Sequence, residues 1–407
     1  EGGRLSDIDV SIANDELVVT YRNSSFFEYS VSTTISGGHV IAPEIQRIQE
    51  TLFNEKRKLI EGSLFGVDIN SNSVKICQLR LWIELLKHAY YKADENYTQL
   101  ETLPNIDINI KHGNSLLNKY SLTEDLSEVF KKQKFGVKDY RLAVEAYKDA
   151  PNKDAKAGLQ NFIKTIKEQF HETVSNRDPR RKRLSELRGQ LALAQNNFDL
   201  FGKTRSEKEM EVEVQKIMLS MEKIDKEISD IQNNAIYRNA FEWRFEFPEV
   251  LNEKGDFEGF EVIIGNPPYI QLQKMGEDAD ALQKGDYSTF TRTGDIYCLF
   301  YEQAIRLLKP DYYFGFITSN KWMRANYGVA TRKFFLENTN PLLLVDFGGY
   351  QVFESATVDT NMLISQKAPY SGETRTCLLD KSLGSLEKMS VYLKQHTSTV
   401  KGFSKES

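Results

Sequence analysis

Apolar residues recur along this chain in three textures. Up to about residue 120, strand-like runs alternate with a helical stretch. Glu16–Tyr21 and Phe26–Val31 flank Asn23-Ser24-Ser25, which predicts a β-hairpin. Leu64–Ile69 reads as a short strand running into Asn70-Ser71-Asn72, and Ile106–His112 as another. From Ser73 the residues Val74, Ile76 with Cys77, Leu81, Leu85 and His88 recur at helix spacing.

Residues 121–250 are charge-rich and periodic. Leu184, Leu187, Leu191, Ala194, Phe198 and Phe201 form one heptad seam. Met210, Val214, Ile217, Met221, Ile224, Ile228 and Ile231 form a second. Gly202-Lys203-Thr204-Arg205 separates them. Gly202 suits a left-handed helix end, and Ser206 with Glu209 fits a capping box. An antiparallel helical hairpin with arms of roughly 30 Å is expected, at 1.5 Å per residue. It is either a spacer or an arm that faces DNA or a partner.

Residues 251–407 return to alternation. Phe260–Gly265, Tyr312–Ser319, Leu342–Gly348 and Val358–Gln366 are strand-like, with helices expected over 295–308 and 329–337. Such alternation predicts an α/β fold with a largely parallel, doubly wound sheet. Ligands in such sheets sit beyond the carboxyl ends of strands, so chemistry is sought just after each strand.

Composition narrows the field. At 407 residues the chain is long enough for about two to three domains. Apolar residues make up 40% and charged residues 27%, an ordinary globular balance. Lys and Arg total 53 against 58 Asp and Glu, a net charge of −5. Bulk positive charge therefore does not hold this protein to nucleic acid, though a local basic groove still could. No uncharged apolar run approaches the roughly 18 residues of a membrane span. No signal peptide is visible at Glu1, and the chain is expected to begin inside a longer polypeptide. Cys77, Cys298 and Cys377 lie far apart and read as small core residues, and the five histidines lack metal-hydrolase spacing, so no metal site is expected. A reducing cytoplasm fits that usage.

The most informative stretch is Asn266-Pro267-Pro268-Tyr269, entered directly from the apolar run Phe260–Gly265. Chance gives such a tetrapeptide in a chain of this length with a probability on the order of one in a thousand or less. Two prolines lack N–H groups and fix φ, so the loop is stiff and cannot pair as a strand. The Pro267 carbonyl and the Asn266 amide oxygen are two acceptors at a strand end, and together they can hold both protons of an –NH2 group. An exocyclic amine on a base is a poor nucleophile because its lone pair is delocalised into the ring. Gripping both protons draws the nitrogen toward a tetrahedral shape and frees that pair. Tyr269 offers a flat face for a base, worth roughly 1–3 kcal/mol. The bland alternative is a proline-capped strand end with a packed tyrosine.

Asn-Pro-Pro-Tyr after an apolar strand resembles the catalytic motif of S-adenosylmethionine-dependent DNA amino-methyltransferases, chiefly the N6-adenine enzymes of the gamma class. The resemblance extends outward. Phe65-Gly66-Val67-Asp68-Ile69 is similar to the family's second-strand motif, which implies that Asp68 holds the cofactor ribose and Ile69 packs on its adenine. His112-Gly113-Asn114-Ser115-Leu116 resembles the third-strand motif, which places Asn114 and Ser115 at the adenine amino group; the family often has Asp where Asn114 stands. Gly294–Phe300 resembles the helix motif whose Phe300 lines the cofactor. Val352-Phe353-Glu354-Ser355-Ala356 resembles the late motif, which makes Phe353 the second face of a sandwich around a flipped adenine, opposite Tyr269. The long segment before residue 260, with Ala240–Pro248, resembles the type IIG restriction–modification methyltransferases. The resemblance implies a Rossmann-like methyltransferase sheet with a long α-helical hairpin insertion, S-adenosyl-L-methionine as cofactor, and double-stranded DNA as partner.

The expected divisions are residues 1–120 for the amino-terminal part of the methyltransferase, 121–250 for the helical insertion, 251–370 for the catalytic half, and 371–407 for the start of a connection to a target-recognition domain. The family's Gly-rich first motif should precede Asp68 and is not found. The central first strand is thus expected to be absent, its neighbours unpaired or paired differently, and the isolated chain is expected to bind cofactor weakly or not at all. A fused nuclease would lie before residue 1, and Pro310-Asp311 lacks the strand context of one. Arg177, Arg180, Arg181, Lys182, Arg183 and Arg188 outnumber the nearby Asp178 and Glu186, which suits either a solvated helix start or DNA phosphate contact. Three other readings stay open: protein-glutamine N5-methylation, which uses the same tetrapeptide; cytosine N4-methylation, which usually shows Ser in place of Asn266; and a DNA-binding or scaffold piece without catalysis.

Overall fold

In the computed structural model, alternating apolar positions and helix caps build two separate units. It describes residues 8–13, 16–21, 25–33, 35, 39–118, 122, 134–177, 179–194, 207–233, 240–353, 358–379 and 389–401. One unit comprises residues 1–113 with 144–159, the other 114–143 with 160–407.

In the first unit, β1 (Ile8–Ala13), β2 (Glu16–Tyr21) and β3 (Ser25–Phe26) form an antiparallel sheet. The expected hairpin exists, but β2 meets β3 only through Thr20↔Phe26 and Tyr21↔Ser25. Its longer partner is β1, paired from Ile8↔Tyr21 to Ala13↔Glu16. A further pair, β4 (Ser32–Thr33) and β5 (His39–Val40), precedes α1 (Pro43–Ser63). Pro43 at the first helical turn and Glu44 beside it suit that end of a helix. α1 buries Ile48, Phe53 and Ile60.

β6 (Gly66–Asp68) and β7 (Ile110–His112) pair in parallel, with Asp68 opposite His112. Between them α2 (Ser71–Leu86) starts where Asn70 caps it, its side chain accepting from the Asn72 amide at 2.9 Å. Cys77 is exposed, contrary to its reading as core. The packed face of α2 runs through Val74, Gln78, Leu81 and Leu85, and Cys77 lies at the edge of that stripe, on its solvent side. Cys298 and Cys377 are buried as expected.

The second unit holds α3 (Val137–Lys148) and α4 (Lys153–Arg177) in part, and the helical hairpin α5 (Pro179–Ala194) and α6 (Glu207–Asn233) in full. The predicted seams meet: Leu187, Ala194 and Ile217 are buried, with Leu191, Val214, Met221 and Ile224 packed around them. Phe198, Phe201 and the connection Gly202–Ser206 lie outside the described residues.

The main sheet has the order β13 (Ser398–Lys401), β12 (Glu373–Leu378), β10 (Asn340–Asp346), β11 (Thr360–Gln366), β9 (Leu308–Ser319), β8 (Phe260–Gly265). β8, β9, β10 and β12 run one way, while β11 and β13 are reversed. The α/β class is as expected and the sheet is mixed. β11 runs antiparallel to both of its neighbours, β10 and β9. β9 begins earlier than the apolar run suggests, so Pro310 and Asp311 lie within it, where Asp311 takes φ 68°.

β8 is the edge strand. Its apolar run reads as buried on both faces, yet Val262 is 62% and Ile264 81% exposed. β8 pairs only with β9 among the described residues. α8 (Tyr297–Leu307) and α9 (Val329–Asn338) pack on one face of the sheet and α10 (Met389–His396) on the other; with α7 (Glu277–Lys284) they complete the described helices longer than one turn. Tyr297, Tyr301, Phe314, Phe316, Trp322 and Phe335 form the aromatic core between β9, α8 and α9. Its polar atoms are paired: Tyr301 and Thr318 hydroxyls lie 2.7 Å apart, and both Thr318 and the Trp322 indole donate to Asn361 Oδ1, at 3.0 and 3.1 Å.

Candidate active site

The loop that leaves β8 is held at both ends. On one side Gly265 pairs with Phe316 in the parallel ladder. On the other, Gln271 bridges Asp295, with Leu272 N donating to Gly294 O at 2.8 Å and Ile296 N to Ile270 O at 2.9 Å. Between these anchors Pro267 is buried while Asn266 and Pro268 are exposed. Among the described residues nothing donates to the Pro267 carbonyl. Tyr269 is half-buried, its ring meeting Tyr297 edge-on at 6.1 Å and 90°. Its hydroxyl donates to Asn266 Oδ1 at 2.9 Å. Burial pushes this phenol above its usual range, so it remains a donor at neutral pH.

Support for the loop comes from residues the motif does not contain. Tyr327 donates to the buried Asp295 carboxylate at 2.9 Å, and its hydroxyl lies 2.8 Å from that of Tyr297. Glu302, also buried, accepts from the Ser288 and Thr289 amides and hydroxyls and from Arg306. The Arg306 guanidinium in turn lies 4.3 Å above the Tyr287 ring. At the same end of the sheet, Asp346, the last residue of β10, accepts from Asn320 Nδ2 at 3.0 Å and from the Gly348 amide at 3.1 Å. The pairs that join distant positions, Asp295 with Tyr327, Glu302 with Ser288 and Thr289, and Asp346 with Asn320, do not announce themselves in the sequence, because only the fold sets them together.

A polar cluster at the carboxyl ends of β8, β9 and β10 is where an open α/β sheet carries its ligands. A family model of the Eco57I restriction-modification methylase matches residues 62–353. The chain belongs to that family. The Methanocaldococcus jannaschii restriction and modification protein RM.MjaORFECS2P is 26% identical over 368 positions, covering 80% of this chain and 28% of that protein. The Escherichia coli type II restriction enzyme and methyltransferase RM.Eco57I is 35% identical over 112 positions, covering 26% of this chain and 11% of that protein. The chain thus spans well under half of either relative. Among solved structures, the type IIG restriction endonuclease BpuSI superposes with a TM-score of 0.28 at 13% identity, over 69% of this chain and 40% of that one.

The remaining predicted residues of this chain fall in different places. Asp68 and Ile69 stand in the first unit, at the end of β6 and just beyond it. Asp68 Oδ1 accepts from the Asn70 amide at 2.6 Å, and its own carbonyl accepts from the Gly113 amide at 3.0 Å. Ile69 is 61% exposed, with its carbonyl 2.9 Å from His112 Nε2. Asn114 and Ser115 belong to the second unit, where Asn114 bridges Ala240 and its side-chain oxygen accepts from the Leu116 amide at 3.1 Å. That oxygen closes a turn, a use the motif did not suggest. Ser115 offers its carbonyl to the Trp243 indole at 3.2 Å. Phe300 on α8 is half-buried and packs between two clusters of the core. Phe353 is half-buried on the loop after β10, its carbonyl accepting from Gln351 Nε2 at 3.1 Å. No ring contact joins Phe353 to Tyr269 among the described residues. Residues Glu354–Ala356 lie outside those described.

Arg180, Arg181, Lys182 and Arg183 occupy the first turn of α5, and Arg183 pairs with Glu186 at 3.1 Å. Among the described residues no group of His, Cys, Asp or Glu is placed to hold a metal ion, and no helix is long and apolar enough to cross a membrane.

Proposed function

We propose that this chain carries methyl transfer from S-adenosylmethionine to N6 of an adenine swung out of double-stranded DNA, as the modification part of a restriction–modification enzyme. The observation that carries the reading is the Asn266–Tyr269 loop, anchored at both ends, with an exposed amide and a carbonyl to which nothing donates among the described residues. Membership of the methylase family supports it. In a duplex the amine is stacked and paired, so the base must leave the helix to be reached. Asn266 Oδ1 and the Pro267 carbonyl grip its two protons and raise the nucleophilicity of the nitrogen. Tyr269 and Phe353 take the two faces of the ring. Positioning and hydrogen bonding then supply most of the rate.

The residues present fit the cofactor. Asp68 is an exposed carboxylate that can accept from the two hydroxyls of a ribose diol, and beside it the exposed aliphatic side chain of Ile69 suits the flat face of an adenine. Asn114, Ser115 and Phe300 are the other residues that would hold it. When bound, S-adenosylmethionine supplies an electrophilic methyl group. In this reading residues 1–120 and 251–370 are the two parts of the methyltransferase, 121–250 the helical insertion, and 371–407 the lead into a target-recognition domain; a nuclease would be fused on the amino-terminal side. The test is the product: label from methyl-tritiated cofactor should enter duplex DNA with the full-length polypeptide that carries this sequence, and be recovered as N6-methyladenine. Recovery as N4-methylcytosine or as methylated protein glutamine would overturn the reading.

The basic turn of α5 bears on the partner. Positive charge in a first helical turn opposes the helix dipole, and acidic residues there are absent. Helix stability therefore does not explain Arg180–Arg183, whereas phosphate contact does. Changing all four to glutamine should reduce the dependence of log K on log salt by about 0.9 for each phosphate no longer neutralised. An unchanged slope, measured by titration of DNA at several salt concentrations, would return this turn to the role of a solvated helix start.

A further inference from the structure

We propose that the Tyr269 hydroxyl fixes which end of the Asn266 amide faces the substrate, making Tyr269 a positioning residue in addition to a stacking surface. The inference rests on the methyl-transfer reading. An asparagine amide has an acceptor and a donor of nearly equal shape, and a half-turn about its last torsion exchanges them. The reaction tolerates only one arrangement. With the oxygen toward the incoming –NH2 the contact is a hydrogen bond; with the nitrogen there, two donors face each other. Asn266 is exposed, so packing alone does not choose between them.

The phenol does choose. It carries one proton and has two acceptors in reach, Asn266 Oδ1 at 2.9 Å and the Ile317 carbonyl at 3.4 Å. Hydroxyl donors prefer roughly 2.7–2.8 Å, so the nearer contact is the stronger. Turning the amide round would send the proton to the distant carbonyl and set Asn266 Nδ2 against the phenol oxygen, a poorer pair of bonds. Oδ1 accepts from Tyr269 with one lone pair and keeps the other for the amine. The direction of the hydroxyl is itself preset. The Tyr269 ring stands at 90° on Tyr297, which is fully buried and whose own hydroxyl lies 2.8 Å from that of Tyr327. Burial keeps the Tyr269 proton in place.

A double-mutant cycle tests this, because a carboxylate has two equivalent oxygens and no orientation to lose. In the full-length polypeptide, Tyr269→Phe should lower kcat about fivefold when position 266 is Asn, the worth of one neutral hydrogen bond, with KM for DNA little changed. In an Asn266→Asp background the same removal of the hydroxyl should leave kcat where that background sets it. Equal losses in both backgrounds, or no loss with Asn266, would overturn the proposal. A second measurement is independent of turnover. With 15N-asparagine labelling, Asn266→Asp identifies the Asn266 side-chain signal by deleting it, and Tyr269→Phe should shift and broaden that signal. An unmoved signal would overturn the inference. A parent protein without methyl transfer would sink the proposed function, while the labelling experiment would still judge the orientation.

Discussion

Asn266→Ala should lower kcat for methyl transfer by about a hundredfold to a thousandfold, the usual cost of deleting one preorganised hydrogen-bonding group from a reacting centre. The change removes one of two acceptors from the amine, and the Pro267 carbonyl alone cannot hold both protons. The fold should survive it. Asn266 is exposed and its one described side-chain bond is to Tyr269, so the loss in stability is confined to the loop. Cofactor affinity should persist, because Asn266 is not among the residues proposed to hold the cofactor and its side chain bonds only to Tyr269 among the described residues. The informative measurement is therefore a pair: single-turnover methylation and equilibrium binding of cofactor by the full-length polypeptide. Near-normal turnover would strip Asn266 of its role. Loss of turnover together with loss of binding would point to a structural defect instead.

Legibility from the chain differs by kind of information. The strands at Phe260–Gly265, Tyr312–Ser319, Leu342–Gly348 and Val358–Gln366 are found within a few residues because each is an apolar run bounded by polar or turn-forming residues. The hairpin seams are found because a coiled packing repeats its own rule every seven residues. Strand direction is less accessible. The reversal of β11 is not legible, because periodicity marks where a strand lies and not which way it runs. β12 escapes notice because Glu373–Leu378 alternates polar and small residues with little apolar signal. The Asn-Pro-Pro-Tyr loop is legible because its chemistry is local: two prolines and an amide in sequence already define stiffness and acceptors. Its supports are not. Asp295 and Tyr327 lie 32 residues apart, and nothing in either neighbourhood names the other. Asn114 shows the same limit from the other side, since the turn its side chain closes competes with the role its motif suggested.

Those supports make Glu302 the site of the second large effect, this time on stability. Its carboxylate is buried and accepts from two backbone amides, two hydroxyls and Arg306. Glu302→Leu fills similar space and removes every acceptor at once. The buried amide of Thr289 would be left without a partner, at a cost of about 1–3 kcal/mol, while Ser288 is exposed and water can take over its amide. Arg306 adds less than a fully buried partner would, because its side chain is 33% exposed and water can take over part of the pairing. A total of about 3–5 kcal/mol is expected, comparable with breaking a buried ionic network by deleting one member. The melting temperature should fall by about 10 °C, at 2–4 °C per kcal/mol for a unit of this size. Glu302→Gln keeps one oxygen as an acceptor and should cost less than half as much. The consequence reaches the active loop, since the segment that Glu302 holds, Ser288–Thr289, leads directly to Gly294–Ile296, the strip that bridges Ile270–Leu272. Glu302→Leu should therefore lower methyl transfer even at temperatures where the protein remains folded by circular dichroism. A variant that melts within about 2 °C of the parent would mean that the loop carries its own stability and that Glu302 does not hold it.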